Sequence, residues 1–501
     1  MPPRPRRSLR RRALVGGVTM LGAAAVGGWA TTAVQRRIAE PHPLPRPTAW
    51  PLLDDASRLN PTPIKGVVFG AESPEATATR FTPLLQRIAA GQEPALAVSG
   101  TRHSMGGQSL LRDGWVLDSL PMNAVAVDAD GKTMRVGAGT TWQQVIAALN
   151  ARGLAPAVMQ SNNDFTVGGS ISVNCHGWQT NSPPIATTVR RLRVLAADGT
   201  IVSCDASENA ELFGLVLGGY GLFGVLLEAE LAVVPNVVYE PAFTALPTRE
   251  YAATFADLVY ARASVEMAYG RLRVDPDQFL EQAIIGTYVP QPDSKGRVLP
   301  LPEMAVDGVA RTIFRGSAGS GSGKARRWWL EREVGPWLAK PISRNVLLNE
   351  PAALFGNRTA ETTDILHEYF VPQARLWDFV AQVKTIVPRE EGDLLNVTVR
   401  DVRRDSRSTL AYARDDMFGL VMLFVQERTV VAEERMQRMT RSLIDAVLDV
   451  GGTFYLPYRP HATAAQLRRA YPAWDAAMAA KRRLDPAGVF QNELYRRYGN
   501  A

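Results

Sequence analysis

Val98-Ser99-Gly100-Thr101-Arg102-His103-Ser104-Met105-Gly106-Gly107-Gln108 closes a short apolar run, Ala95–Ser99, with three glycines and one of only 5 histidines in the chain. A turn of this composition exposes successive backbone N–H groups, which bind a pyrophosphate without needing positive side chains. Ser99, Gly100, Thr101, Arg102, His103, Ser104 and Gln108 are therefore candidate ligands of a phosphorylated cofactor. Two further glycine-rich segments follow. Asn163-Asp164-Phe165-Thr166-Val167-Gly168-Gly169-Ser170-Ile171-Ser172-Val173-Asn174-Cys175-His176-Gly177 joins paired glycines, which admit a flat ligand closely, to the polar side chains of Asp164, Thr166, Ser170, Ser172, Asn174 and His176. Gly218-Gly219-Tyr220-Gly221-Leu222-Phe223-Gly224-Val225 adds Gly221, Gly224 and Val225. Each alone is ordinary turn chemistry; their succession is the signal.

Outward from these segments, Ile64–Pro235 reads as short strands and tight turns. Ala95–Ser99 and Trp115–Leu117 are short apolar runs, and Ala124–Val127 and Met134–Val136 flank the turn Asp128-Ala129-Asp130-Gly131, a pattern of strands joined by hairpins. Thr140-Thr141-Trp142-Gln143 reads as a capping box opening a helix to about Arg152, stopped by Gly153. Arg191–Ala196 and Ile201–Ser203 form another hairpin about Asp198-Gly199, and the apolar tract Gly218–Val234 reads as a buried strand. Hairpins mixed with single helices point to an α+β fold. No G-x-G-x-x-G stands between a strand and a helix, so a nicotinamide site is unsupported.

In this order the three segments resemble the FAD-binding domain of the vanillyl-alcohol oxidase superfamily, the PCMH-type FAD domain, over about Pro61–Asn236. The resemblance implies a two-part FAD-binding domain and an α+β cap domain built on an antiparallel sheet, with FAD as cofactor. In relatives the histidine of a G-x-G-H-S-x-x-G-Q turn is bonded to the flavin 8α carbon. His103 holds that place, followed by Ser104, Gly107 and Gln108, which implies covalent attachment through His103; Arg102 stands where relatives often have glycine. Relatives with a second, cysteinyl link carry Cys two positions before the Thr-Val-Gly segment. Asp164 stands there in this chain, which implies a single histidyl bond. His176 is open between hydrogen bonding to flavin or phosphate and a structural loop role. Leu484-Asp485-Pro486-Ala487-Gly488-Val489-Phe490-Gln491-Asn492 resembles the tail that returns to the flavin domain in sugar and aldonolactone oxidases, which brings Asn492 into the cofactor set.

The region 237–460 is expected to be the substrate cap. Ile365–Pro372 and Leu395–Arg400 alternate like strands of one half-buried sheet and would project Glu368, Asn396, Thr398 and Arg400 from one face. In aldonolactone and sugar oxidases a comparable Glu-Tyr segment and a strand arginine line the flavin face. Glu368 would position or deprotonate a substrate hydroxyl and Arg400 would offset charge on reduced flavin; a plain salt bridge between adjacent strands is the competing reading. Tyr458-Arg459-Pro460-His461 offers His461 as a further acid or base or as a surface residue.

The net charge of +7 is held entirely by residues 1–40, where eight arginines face the single Glu40, so a phosphate-backbone partner is unsupported. That segment, Arg-rich and then uncharged from Ala13 to Val34, reads as a twin-arginine-like export signal or a membrane anchor through residues 13–34, and places the protein outside the cytoplasm. Residues 41–60 read as a proline-rich spacer, 61–236 as the flavin domain, and 461–501 as the returning segment. Gly316–Gly323 reads as a mobile Gly/Ser loop, followed by Arg326-Arg327-Trp328-Trp329 and Trp337, a mixture suited either to a membrane interface or to covering a domain surface. Cys175 and Cys204 allow no disulfide framework; Cys175 reads as a small buried thiol, with a Cys175–Cys204 bond left open.

The resemblance implies an enzyme that oxidises a CH–OH group of a sugar, polyol or aldonolactone by hydride transfer to flavin N5, with oxygen or a quinone-type molecule accepting the electrons. A cytokinin-dehydrogenase-like amine oxidation, an NADPH-dependent reductase of the cell-wall precursor type and a non-catalytic flavoprotein module are the alternatives.

Overall fold

The computed structural model describes residues 51–302, 308–352 and 355–499; the expected leader and the first part of the spacer lie outside them. Three short strands, Gly66–Phe69, Trp115–Asp118 and Leu96–Ser99, run parallel with Trp115–Asp118 in the middle. The helix Pro74–Ala89 makes the first crossover. Ser73 caps it by accepting from Ala76 N–H, proline sits where its missing N–H costs nothing, and Phe81, Leu84, Leu85 and Ile88 are buried. Ala95–Ser99 and Trp115–Leu117 are thus not hairpin partners. The glycine-rich turn and the rest of residues 100–114 give the chain enough length to cross back and pair in parallel.

The second sheet is antiparallel, in the order Ile201–Asp205, Val189–Leu195, Val225–Pro235, Thr133–Gly137, Val125–Val127. Its two hairpins fall where the Asp-Gly turns put them, with Gly199 at φ +89° and Gly131 at φ +66°. The capping box sits one residue later than the sequence pattern suggests. Thr141 accepts from Gln144 N–H while the Gln144 side chain takes Thr141 N–H, and the helix runs Trp142–Asn150. The tract Gly218–Val234 is not one strand, because Gly218, Tyr220, Gly221 and Gly224 all hold positive φ and the strand starts only at Val225.

The cap is an eight-stranded antiparallel sheet ordered Ile342–Ser343, Val238–Pro247, Gln282–Pro290, Met267–Leu272, Asp393–Val402, Met417–Glu427, Thr362–Pro372, Thr453–Phe454. Period-2 alternation splits each strand between two environments. Ile365, His367 and Tyr369 are buried, with His367 and Tyr369 against the helices Val430–Asp449 and Leu376–Arg389, while Asp364, Leu366 and Glu368 face the flavin domain. A bulge between Leu394 and Asn396 resets the next strand, so that Asn396, Thr398 and Arg400 share the inward face.

Two linker readings change. The expected Gly/Ser loop turns at residues 316–319 and its end opens a helix: Ser320 caps Gly321–Trp329 through Gly323 N–H, Lys324 pairs with Asp393 at 2.6 Å, and buried Arg327 donates to Ser317 Oγ and Leu395 O. Trp328 is buried there, whereas Trp329 and Trp337 are exposed. Residues 51–60, expected as the end of the spacer, are part of the folded body: Leu52–Leu53 pairs with Thr62–Pro63, Ala56 N–H donates to Arg102 O and Ser104 O, and Asp55 accepts from Gly107 N–H. At the other end of the chain, Asp485 accepts from Val489 and Phe490 N–H and curls the tail, which extends the parallel sheet through Leu96 N–H to Val489 O and Gln491 N–H to Leu96 O. Among the described residues no helix is long and apolar enough to cross a membrane.

Candidate functional site

A cavity of about 650 Å³ lies between the two domains. Its floor is the first glycine turn, Gly100 to Ser104. Gln108 fastens that turn to the cap side: Nε2 donates to Leu456 O at 2.7 Å and Tyr458 O at 2.9 Å, and Oε1 accepts from Gly106 N–H. The second and third glycine segments pack against it so tightly that side chains are excluded. A Cβ on Gly100 would lie 2.2 Å from Thr166 Oγ1, and one on Gly168 would lie 2.7 Å from Ala138 Cβ. The third segment brings Gly219, Gly221 and Gly224 to the same wall.

His103 lines the cavity with its ring stacked on Phe165, centroids 3.9 Å apart, and Nε2 lies 3.3 Å from Asp164 O and 3.8 Å from Asp164 Oδ1. Burial pushes its pKa down, against the pull of Asp164, which favours the neutral imidazole. Gly100, Thr101, Arg102, Ser104, Gln108, Asp164, Thr166, Gly168, Gly169, Ser172, His176, Gly221 and Gly224 also line the cavity.

Other expected ligands do not reach it. Ser99 is buried with Oγ on Gly100 O; Ser170 Oγ donates to Gln160 Oε1 and accepts from Trp142 Nε1 in the core; Asn174 Nδ2 holds Asp405 and Ser408; Val225 is core. Gly177 serves a close approach to Met159 O, 2.0 Å from where a Cβ would sit. Asn492 is a fastener: its Nδ2 donates to both Gln108 O and Tyr220 O at 2.9 Å, behind the cavity wall. His461 is no pocket acid or base. It is buried with Nε2 2.8 Å from Glu433 Oε1 and Nδ1 2.9 Å from Thr440 Oγ1, held by the outer helix Val430–Asp449. Its segment does reach the cavity, through Tyr458.

Among the described residues, Tyr458 belongs to the one acid–base cluster in the cavity wall whose carboxylate and imidazole come from different domains. Glu368 Oε1 lies 2.6 Å from His176 Nε2, both side chains almost fully buried, and Tyr458 OH donates to Glu368 Oε2 at 3.2 Å. Burial pushes the Tyr458 phenol well up, so it stays a donor. Arg400 donates from Nη1 to His176 O at 3.2 Å and from Nη2 to Ser161 Oγ at 3.1 Å. The expected alternative, a salt bridge between neighbouring strands, is absent because Met417–Glu427 separates the strands of Glu368 and Arg400. Sequence reasoning missed Ser161, Phe165, Tyr220, Tyr455 and Arg271 on the lining; only Phe165 and Tyr220, inside quoted motifs, carried any signal.

Cys175 also touches the cavity, but burial pushes its thiol up to about 12, and Cys175 and Cys204 are both free and buried, which closes the disulfide alternative. The glycine-lined cradle fits a flat, phosphorylated cofactor, and the buried Arg400 Nε and His176 Nδ1, without hydrogen-bond partners among the described residues, offer it or a substrate polar contacts.

Comparison with known proteins agrees. Residues 85–205 match the FAD binding domain family. The chain is 32% identical over 166 residues to cytokinin dehydrogenase 2 of Arabidopsis thaliana, covering 33% of each chain, and 31% identical over 204 residues to an uncharacterized oxidoreductase of the fasciation locus of Rhodococcoides fascians, covering 39% of this chain and 44% of that one. It thus spans between a third and a half of the length of these relatives. With cytokinin dehydrogenase 6 of Oryza sativa subsp. japonica it aligns over 84% of its own length and 86% of the relative's at 26% identity. Residues 85–205 are thus a PCMH-type FAD-binding domain, the domain of the FAD-binding oxidase superfamily that includes vanillyl-alcohol oxidase.

Proposed function

We propose that the protein is an FAD-dependent oxidoreductase that dehydrogenates a small polar donor, with a CH–OH group of a sugar, polyol or aldonolactone as the reacting unit. The observation that carries this reading is the buried Glu368–His176–Tyr458 cluster in the wall of a glycine-cradled cavity, beside the hydrogen-bonding row Asn396, Thr398 and Arg400. Gly100 to Ser104, Thr166, Gly168, Gly169, Gly221 and Gly224 would hold the cofactor, with His103 as its covalent attachment point. A bound flavin would supply the hydride acceptor. The chain's own residues do the rest: the cluster around Glu368 takes the donor's hydroxyl proton, and Arg400 sets a fixed positive charge beside it. Tyr455 and Leu423 add apolar surface to the cavity wall. Oxygen or a quinone-type molecule is the expected electron acceptor, and export by the arginine-rich leader the expected location.

Similarity to cytokinin dehydrogenases favours a second reading, oxidation of an amine C–N unit at the same cluster. The alignment with cytokinin dehydrogenase 6 spans the cap as well, so support for the hydroxyl donor is the polar row Asn396, Thr398 and Arg400 in the cavity wall. The test has two stages. Acid denaturation of wild type and His103→Ala shows whether flavin stays on the polypeptide; retention by wild type alone supports the covalent bond, and release by both refutes it. Anaerobic titration of the flavin with polyols, aldonolactones and N6-substituted adenines follows. Bleaching by hydroxyl donors supports the first reading and bleaching by adenines the second, while no bleaching by any donor leaves a binding module.

A further inference from the structure

We propose that the donor carries an anionic oxygen group, a carboxylate or a phosphate ester, alongside its reacting CH–OH, and that the row Asn396, Thr398 and Arg400 receives that group. The proposal rests on the oxidoreductase reading and names the donor class within it.

The row presents hydrogens more than lone pairs. A guanidinium only donates, so Arg271 Nη1 sets the orientation of both neighbours: Asn396 turns its Oδ1 to Nη1, and Thr398 Oγ1 accepts from Nη1 at 3.0 Å. The Asn396 amide, oriented in this way, donates from Nδ2 to the same Thr398 Oγ1 at 3.3 Å. With both lone pairs of Oγ1 receiving hydrogens, the Thr398 hydroxyl can only donate. It has no acceptor among the described residues, although the side chain lines the cavity. Arg400 spends one N–H on His176 O at 3.2 Å and one on Ser161 Oγ at 3.1 Å and keeps others. Acceptors at this end of the cavity already hold donors. Both Asp364 oxygens accept from Arg315, which also takes Phe355 O, and Arg311 takes Gly356 O. A neutral polyol brings an O–H with every oxygen and would leave hydrogens unmet here, whereas an oxyanion brings acceptors alone.

Charge points the same way. Of the arginines that line the cavity, Arg102, Arg271 and Arg315 have Asp118, Glu331 and Asp364 within 4.0 Å. Arg58 and Arg400 have no carboxylate at that range among the described residues. The Arg58 guanidinium donates to the carbonyls of Thr359 and Thr362. The other acids of the wall are engaged locally: Asp55 accepts from Gly107 N–H, Ser57 and Asn60, Asp164 from Ala352 N–H, and Glu368 Oε2 from Tyr458. Strand register then sets the reach required of the donor. Glu368 and Thr398 are both level with Val421 on the strand between them, so their backbones lie roughly 10 Å apart. A chain of a few carbons spans that interval, with its anionic end at Thr398 and its CH–OH toward Glu368.

Two measurements on the full-length holoenzyme decide it. Sorbitol and gluconate differ only at C1, a CH2OH against a carboxylate, and sorbitol 6-phosphate puts the charge on an ester; the three are compared as reductants of the flavin. Hydrogen bonds to a charged group predict kcat/KM about 10–100-fold higher for an anionic donor than for sorbitol, and the better of the two anions identifies the group. Thr398→Val should remove most of that preference and Thr398→Ser should keep it. Sorbitol reacting as well as both anions overturns the proposal and leaves the oxidoreductase reading standing, as does a Thr398→Val loss that is equal for charged and neutral donors. The second measurement needs no turnover: glutarate, which has no CH–OH, and inorganic phosphate are titrated into the oxidised holoenzyme while flavin absorbance is followed. A saturable shift that weakens in Thr398→Val supports the anion site even where no hydroxyl donor bleaches the flavin, in which case the oxidoreductase reading fails alone. No shift from either anion, together with no preference among the donors, overturns the site.

Discussion

Arg102 holds φ at +55°, in the left-handed region that glycine enters freely and other residues enter at a cost of about 1–2 kcal/mol. That is the physical content of its place in the turn, where relatives often have glycine. Its guanidinium lies 4.0 Å from Asp118, at the outer limit of an ion pair and too far to offset much strain. Arg102→Gly is expected to leave stability within about 1 kcal/mol of wild type or raise it, whereas Arg102→Val should lower it by about 1–2 kcal/mol, read from urea midpoints at constant m. Glu350 gives a residue-level prediction of opposite pH sense to ordinary carboxylates. Burial, only partly opposed by Arg271, pushes its pKa up to about 7. Folding then binds a proton that the unfolded chain has already lost, so the cost of Glu350 grows as pH rises from about 4.5 to about 7. Glu350→Gln should match wild type at pH 4.5 and be more stable at pH 8 by on the order of 2 kcal/mol; an equal gain at both pH values would refute this cause.

At the scale of elements, the strand Thr362–Pro372 shows how period-2 alternation separates chemistry from packing. Glu368 turns to the cavity, and its neighbour His367 turns to the outer helix, where Nδ1 contacts Tyr369 OH at 3.0 Å and Nε2 contacts Thr440 Oγ1 at 3.4 Å. Burial first, and then the nearby His461, push the His367 pKa to about 3. The folded chain therefore keeps His367 neutral while the unfolded chain protonates it, and stability is lost as pH falls from about 6.5 to about 3. His367→Asn should flatten this acid limb of the melting profile, with little change above pH 7 beyond the packing loss. Sequence alternation alone put Glu368, Asn396, Thr398 and Arg400 on one face correctly. It did not show that another strand separates Glu368 from Arg400, since strand order depends on pairings distant in sequence.

On the scale of the whole molecule, Asn492 joins the chain's last segment to two of the glycine turns. Replacing it with alanine leaves Gln108 O and Tyr220 O without this partner, at about 1–3 kcal/mol for each buried group. Asn492→Ala should lower the melting temperature, although Asn492 does not line the cavity; an unchanged melting curve would show that it is no fastener.

What the sequence determined by itself is local. Glycines at positive φ, Asp-Gly hairpins, a Thr–Gln cap and alternating strands are properties of a few adjacent residues, and the three glycine segments indicated a cradle for a flat, phosphorylated ligand, which their resemblance to the PCMH-type domain narrowed to FAD. The candidate acid–base unit was not legible in the same way. His461 and His176 both lie in plausible motifs, and only packing takes His461 to Glu433 and Thr440 on the outer helix and His176 to Glu368 across the domain boundary. Burial and partner choice are set by which surfaces meet, and neither residue carries that information in its own neighbourhood.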